Sequence, residues 1–441
     1  MKEFLRTTVC FFAASFVITA ITACGNTGNI EGSTSSDPPG KQTPDASPPK
    51  PVTVTMFNQS NGISDDRLQQ FILEPLKQKL PHVTFEVVKD AKGSTMDELV
   101  ATGNFTDINY GSNPQFPPYL LKELQYDMND LVKKHNLDLN RFDSTFINAV
   151  KTFDDKGKLY AIPFSTNLGV LIYNKDIFDR FGVAYPKDGM TWDETVELGR
   201  KLTRTQDGIN YIGFDPGVAT DIGQALSLSY VDTKSMKALV NNDQWKKIFD
   251  MLKRAYAIPG FVNAGKYDYG TGGFIKDHNV AMRPIWALQI MNAKADLANV
   301  NWDVVSLPNF KEELGQGREV DIHMLAVSNV SKNKDAAMEV IKAITSDEVQ
   351  RLMSEYGTPT VMKNEEIKKA YGSKLPEYKG KNVQAFFKTT PRVPHVITRY
   401  DATVRTEINN GRKEIATGDK DVNTVIREIQ EKADQKLAEM K

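Results

Sequence analysis

The feature that most constrains the fold of this chain is a strand, a helix and a second strand that follow one another within about 37 residues. Val52, Val54 and Met56 alternate with threonines, which is the period of a half-buried strand. A helical pattern starts near Asp65, which can cap it, and Val83 to Val87 alternates again. Two strands joined by a helix predict a parallel sheet covered by helices, and therefore an α/β fold.

Polar residues follow two of the predicted strands. Asn58 and Gln59 come after the first one, and Tyr110, Ser112 and Asn113 come after a strand that ends near Asn109. Ligands of parallel sheets bind outside the carboxyl ends of the strands, so these side chains are candidate ligand contacts.

Size and charge narrow the class of protein. The chain has 441 residues, and the roughly 390 that follow position 50 exceed what one hydrophobic core usually serves, so two lobes are expected. The formal net charge is −1, and no basic block with interleaved aromatics occurs. A nucleic-acid partner is therefore not expected.

The N-terminus has the pattern of a secretory signal. Lys2 and Arg6 precede an apolar run from Val9 to Ile21, which is short for a membrane span. The run ends at Ile21-Thr22-Ala23-Cys24, which is similar to a bacterial lipobox. We expect a signal peptide over 1–23 and a lipid on Cys24; the alternative is cleavage at another small residue, leaving Cys24 as an ordinary thiol.

Residues 24–50 are expected to form a disordered tether, because they are rich in Pro, Gly, Ser, Thr and Asp and have no apolar periodicity.

The two cysteines are Cys10, inside the signal, and Cys24. The mature chain can therefore form neither a disulfide nor a cysteine metal clip. No cofactor or metal is expected, since none of the five histidines has metal-ligand spacing: His82, His135, His278, His323 and His395.

The middle of the chain carries further signals. Strand-like runs at Leu159–Pro163 and Val170–Tyr173 are separated by residues 164–169. Thr191 to Glu194 form a capping box that predicts a helix to about Leu202, with Trp192 packed in the interior.

These segments resemble the extracellular solute-binding proteins of group 1, the sugar-binding type that includes the maltose-binding protein. The resemblance is carried by Gly157 to Phe164, by Leu171 to Phe178 and by Thr191-Trp192-Asp193-Glu194. A second stretch, Phe274 to Trp286, is similar except that Asp277-His278-Asn279 replaces the small residues usual in the family.

The resemblance implies a two-lobe, periplasmic-binding-protein-like (type II) fold with a ligand cleft between lobes joined by several crossings. It implies lobes over 51–167 plus 327–357 and over 168–323 plus 358–441. The expected function is a lipid-anchored substrate-binding protein on the extracytoplasmic face of the cell membrane. We expect such a protein to be a monomer that captures a sugar, an oligosaccharide in kind, and delivers it to the permease subunits of an ABC importer.

Candidate ligand residues extend beyond the strand ends. The resemblance implies that Trp286 stacks on a sugar ring, and a core tryptophan is the alternative. The other candidates each have a structural alternative, such as a turn or a surface ion pair: Asn167, Asp215, Arg283, Tyr356 and Arg399, the last with its neighbour Tyr400.

Two other functions share parts of this pattern. A lipoprotein that senses a ligand for a membrane kinase would have the same fold. A secreted glycoside hydrolase would need two carboxylates facing each other across a cleft, and no motif supplies them. We therefore expect a binding protein rather than an enzyme.

Overall fold

The strand–helix–strand unit predicted at the start of the folded body is present in the computed structural model, which describes residues 49–418 and 420–440. Val52–Asn58 pairs in parallel with Val83–Lys89, in register Val52 to Val83. Val54 and Met56 are fully buried, as the alternation predicts. The helix between the strands starts at Asp65, but Ser64 occupies the cap position that the sequence assigned to Asp65.

The strands, in chain order, are β1 Val52–Asn58, β2 Val83–Lys89, β3 Ile108–Ser112, β4 Ile162–Asn167, β5 Gly169–Asn174, β6 Arg204–Gln206, β7 Ile209–Tyr211, β8 Val231–Asp232, β9 Lys237–Ala238, β10 Met282–Trp286, β11 Trp302–Ser306, β12 Gln316–Glu319, β13 Asp321–Val327 and β14 Thr390–Arg392.

The helices are α1 Asp65–Leu68, α2 Glu74–Lys79, α3 Met96–Ala101, α4 Pro117–Leu121, α5 Asn129–Lys134, α6 Ser144–Lys151, α7 Lys175–Phe181, α8 Trp192–Leu202, α9 Ala219–Gln224, α10 Asp243–Tyr256, α11 Gly270–Ile275, α12 Ala287–Asn292, α13 Lys294–Leu297, α14 Lys334–Ile344, α15 Asp347–Glu355, α16 Glu365–Lys369, α17 Asp401–Thr417 and α18 Val422–Glu439. A π-helical turn, Gln69–Leu73, joins α1 to α2. Short 3-10 helices cover Gln59–Asn61, Asn113–Gln115, Leu139–Arg141, Lys311–Glu313, Pro376–Tyr378 and Val383–Phe387.

Two main sheets organise the body. The larger has the order β2-β1-β3-β13-β4, with β1 parallel to both β2 and β3, and with β13 antiparallel to β3 and β4. The smaller has the order β10-β5-β11, and both of its pairings are antiparallel. Leu168 is the single residue between β4 and β5, so the chain passes from one sheet to the other there.

The first of the two strand-like runs extends further than its sequence pattern predicts. Strand β4 runs through Phe164, Ser165 and Thr166 and pairs with β13, and all three side chains are buried. The Thr166 hydroxyl donates to the Asp321 carbonyl inside the protein rather than facing solvent.

The buried hydrophobic residues form two clusters. The first core takes its members from 54–164 and 320–367, and the second core from 168–310 and 371–437. The sequence-based ranges assigned 320–323 and 358–367 to the second group, whereas Val320, Ile322 and Val361 belong to the first core. The chain therefore changes core near 165–167, within 311–319 and within 368–370.

Helix α8 begins as its sequence predicts. The Glu194 amide donates to the Thr191 hydroxyl at 3.1 Å, and the Glu194 carboxylate accepts from the Thr191 amide at 2.7 Å. Trp192 is buried and stacks on Phe214, with ring centroids 6.1 Å apart. The capping box and the packing role of Trp192 are both confirmed.

The predicted signal peptide, Cys24 and the tether up to residue 48 lie outside the described residues. Over 49–418 and 420–440, no helix is both long and apolar enough to cross a membrane.

Candidate ligand-binding cleft

A cavity of about 480 Å³ lies where elements of both cores meet, and we refer to it as the cleft cavity. Its walls come from the end of β3, from the start of the crossing between β4 and β5, from α9, from the end of β10 and from the first turn of α17. The lining residues are Ser112, Asn113, Pro114, Gln115, Asn167, Asp221, Gln224, Tyr230, Trp286, Gln289, Glu319, Val320, Asp321, His395, Ile397, Thr398, Asp401, Ala402 and Arg405.

Trp286 supplies the largest apolar surface of this wall. It is the last residue of β10, where it pairs with Gly169 at the first residue of β5. Its backbone amide donates to the Gln289 side chain at 3.0 Å, which fixes the turn into α12. The guanidinium of Arg318 lies over the indole, 4.5 Å from the ring centroid. Trp286 is half-buried, so part of the ring stays accessible from the cavity.

Two buried arginines and two aspartates lie next to Trp286. Arg318 Nη1 is 3.5 Å from Asp221 Oδ2, and Arg283 Nη1 is 3.6 Å from Asp215 Oδ2. Burial lowers the pKa of Arg318, while the Asp221 charge acts in the opposite direction. Burial raises the pKa of Asp215, and the Arg283 charge counteracts part of that effect. The two ion pairs therefore compensate charges that would be costly to bury alone.

His395 lies between two carboxylates in the cavity wall. Its Nδ1 is 2.9 Å from Glu319 Oε1, and its Nε2 is 3.0 Å from Asp401 Oδ2. Burial alone would lower the pKa of His395, but hydrogen bonds and charge from Asp401 and Glu319 outweigh burial and raise it to about 9. At neutral pH the imidazolium thus offsets one of the two negative charges beside it.

Amide side chains of the wall are held by the backbone that links the two cores. Asn113 donates from Nδ2 to the Val320 carbonyl at 3.1 Å, and its Oδ1 accepts from the Ile322 amide at 3.0 Å. Asn167 donates to Asp321 Oδ2 at 3.1 Å and accepts from the Leu288 amide, also at 3.1 Å. These bonds orient both amides at the cavity surface.

Four of the residues predicted as ligand contacts line the cleft cavity together: Ser112, Asn113, Asn167 and Trp286. Three others are buried behind the wall. Asn58 exchanges hydrogen bonds with Ile63, and Gln59 donates to the Gln115 carbonyl. Tyr110 stacks on His323, with ring centroids 5.7 Å apart, and burial raises the pKa of Tyr110 to about 12.

The remaining predicted residues lie elsewhere. Asp215 and Arg283 form the buried ion pair already described. Tyr356 lines a separate cavity of about 290 Å³ that also contains Phe71 and Trp302. Arg399 is exposed and donates to the Tyr400 hydroxyl at 2.7 Å. Ligand contact by each of these residues stays a prediction.

Several lining residues carried no signal in the sequence. Asp221, Gln224 and Tyr230 lie in or after α9, and His395, Asp401 and Arg405 lie at the start of α17 or before it. The spacing of His395 from the other histidines does not fit a metal site, and the sequence predicts no other role for it. Its pairing with Glu319 joins residues 76 positions apart, and no local pattern reports such a contact.

The comparisons with known proteins agree with this architecture. A family model described as a bacterial extracellular solute-binding protein matches residues 72–376, which is more than half of the chain. The chain therefore belongs to the bacterial extracellular solute-binding proteins, a family of the cell exterior.

Particular relatives extend the comparison. A multiple sugar-binding protein of Streptococcus mutans is 27% identical over 155 residues, and the alignment spans 34% of this chain and 34% of that protein. An ABC substrate-binding protein of Listeria monocytogenes, solved in complex with cycloalternan, has a TM-score of 0.69 at 18% identity, over 88% of this chain and 100% of that one. The sugar-binding protein MalE of Xanthomonas citri has a TM-score of 0.68 at 17% identity, over 88% and 98%. The structural likenesses confirm the predicted two-lobe α/β fold of periplasmic binding proteins.

Proposed function

We propose that this chain is the substrate-binding protein of an ABC importer and that it binds a carbohydrate in the cleft cavity. We expect this carbohydrate to be an oligosaccharide. The observation that carries the proposal is the half-buried indole of Trp286 in a wall that also presents amides, carboxylates and hydroxyls among smaller apolar side chains. A pyranose needs both surfaces, because its CH-rich face packs on an aromatic ring and its hydroxyls need hydrogen-bond partners.

The charges of the cavity favour a neutral ligand. Glu319 and Asp401 both pair with His395, and Asp221 pairs with Arg318. Asp321 accepts a hydrogen bond from Asn167. Arg405 also lines the cavity, so three cations offset three of these four carboxylate charges, and the carboxylates can accept hydrogen bonds from hydroxyls while a single negative charge is left over. The volume of about 480 Å³ lies within the range usual for small-molecule sites.

The sugar-binding relatives add support from outside the chain. The curated relative is named for binding multiple sugars, and the Listeria protein was solved with cycloalternan. We infer that the two cores form two lobes that close on the ligand, with crossings where the chain changes core. The loaded protein would then pass its sugar to permease subunits and would leave it chemically unchanged.

A lipid on Cys24 would keep this protein at the extracytoplasmic face of the membrane, as the lipobox pattern predicts. Acyl chains contribute about 0.8 kcal/mol for each buried methylene, so two or more give a stable anchor. Cys24→Ser should move the protein from the membrane fraction to the soluble extracytoplasmic fraction. A variant that stays membrane-bound would contradict the anchor without affecting the binding proposal.

A thermal-shift screen tests the ligand class. The panel should contain neutral oligosaccharides such as cycloalternan and maltotetraose, uronic acid oligomers, peptides and polyamines. We expect a neutral oligosaccharide to raise the melting temperature and to be recovered unaltered after prolonged incubation. A shift with peptide or polyamine and with no carbohydrate would overturn the proposal, and release of shorter sugars would indicate a hydrolase.

A further inference from the structure

Arg318 is an unusually buried cation for a residue so close to the cavity. Its side chain is only 3% exposed, and it does not line the cleft cavity itself. Within the described part of the chain, its Nε and Nη1 make no hydrogen bond. Burying a guanidinium this way is costly, so its position needs a compensating interaction.

The compensation comes from two residues that do line the cavity. The guanidinium lies 4.5 Å from the centroid of the Trp286 ring, and its Nη1 lies 3.5 Å from Asp221 Oδ2. An arginine over a tryptophan face is the strongest common form of cation–π contact, and it gains strength when water is excluded. Arg318 therefore covers one face of the indole, and only the rest of the ring is available to a ligand.

The backbone around Arg318 makes room for this arrangement. Gly169 pairs with Trp286 across the ladder, and a Cβ on Gly169 would lie 3.4 Å from Arg318 Cδ. The arginine stem thus passes over a position that has no side chain. Arg318 belongs to β12, which lies within the segment 311–319 where the chain changes from the second core to the first.

We propose that Arg318 is a positioning residue: it covers one face of the Trp286 indole and fixes the ring so that only the other face can contact a ligand. Asp221 in turn keeps Arg318 in place through their ion pair. The proposal rests on the proposed function for its consequence in ligand affinity. Its consequence for the tryptophan itself is independent of any ligand.

A matched control exists elsewhere in the chain. Arg412 is also buried, lies over the Tyr267 ring at 5.7 Å and pairs with Asp268 at 3.0 Å. It does not line the cleft cavity. Arg318→Ala and Arg412→Ala therefore remove similar interactions, and only the first is expected to affect Trp286.

Acrylamide quenching of tryptophan fluorescence measures the exposed ring directly. Of the four tryptophans, Trp192, Trp245 and Trp302 are buried. The quenchable fluorescence that is lost in Trp286→Phe is therefore the contribution of Trp286. We expect Arg318→Ala to raise the quenching constant of Trp286 about twofold, since it uncovers a second face. Arg318→Lys should give a smaller rise because an ammonium keeps the charge without the planar stack. Arg412→Ala should leave the constant unchanged.

The affinity test uses the carbohydrate of the thermal-shift panel that the wild-type chain binds, with maltotetraose and cycloalternan tried first. Arg318→Lys, chosen because it keeps the charge in the fold, should weaken binding about tenfold in the wild-type background and have no further effect in a Trp286→Phe background. Unchanged quenching in a folded Arg318 variant, or an equal loss of affinity in both backgrounds, would overturn the proposal. If no carbohydrate of the thermal-shift panel binds, the proposed function fails, and the quenching result alone still decides the role of Arg318.

Discussion

The Glu319–His395–Asp401 triad should make the stability of this protein fall at alkaline pH. The pKa of His395 is raised from an ordinary 6.5 to about 9, because the carboxylate partners outweigh the opposing effect of burial. A group whose pKa is raised on folding stabilises the fold fully below its unfolded value and stops doing so as the pH rises through its folded value. This stabilisation is therefore lost between about pH 6.5 and about pH 9. The pKa difference corresponds to about 3 kcal/mol in the free energy of unfolding.

The perturbation that isolates this contribution is His395→Gln. Glutamine keeps polar contact with both carboxylates but cannot take up a proton, so it resembles wild type with a neutral imidazole. Urea unfolding should be measured for both proteins from about pH 6 to about pH 10. The free energy of unfolding of wild type should exceed that of the variant by about 3 kcal/mol near pH 6, and the excess should approach zero above about pH 9. An excess that stays constant with pH would refute the reasoning.

Two further changes test the packing and the helix starts. Gly213→Ala would place a Cβ 1.9 Å from the carbonyl oxygen of Gly199, so we expect loss of folding by circular dichroism. Gly272→Ala, where a Cβ meets nothing within 4 Å, is its control and should leave the melting temperature unchanged or higher; similar behaviour of the two variants would contradict the close contact. Thr191→Ala removes the capping box with Glu194 and should lower the free energy of unfolding by about 1 kcal/mol in urea titrations; a change below about 0.3 kcal/mol would mean that the cap contributes nothing.

Local patterns predicted local structure well. The alternation at Val52 to Met56 gave the first strand, and Thr191 to Glu194 gave the start of α8, because both signals depend on neighbours a few residues apart. The extension of β4 beyond Pro163 was not predictable in this way, because the hydroxyls of Ser165 and Thr166 are satisfied by β13, which lies more than 150 residues further along the chain.

The candidate site was predicted only in part, for the same physical reason. Residues at strand ends, such as Ser112 and Asn113, could be found because topology places such ends at a ligand site. His395 and Arg318 could not, since each acquires its role from partners brought together by folding. Asn58 shows that a polar residue at a strand end can also secure its own loop, as it does with Ile63, and its contact with ligand stays a prediction.

Isothermal titration of the best carbohydrate from the thermal-shift panel into wild type and Trp286→Ala tests the central claim most directly. The account predicts that wild type binds one sugar molecule per chain. It predicts that Trp286→Ala loses detectable binding while keeping its circular dichroism spectrum, with a lower melting temperature because the buried Arg318 guanidinium loses the ring that it covers. Retention of wild-type affinity by folded Trp286→Ala would show that the sugar does not rest on this indole and would contradict the assignment of the cleft cavity as the binding site.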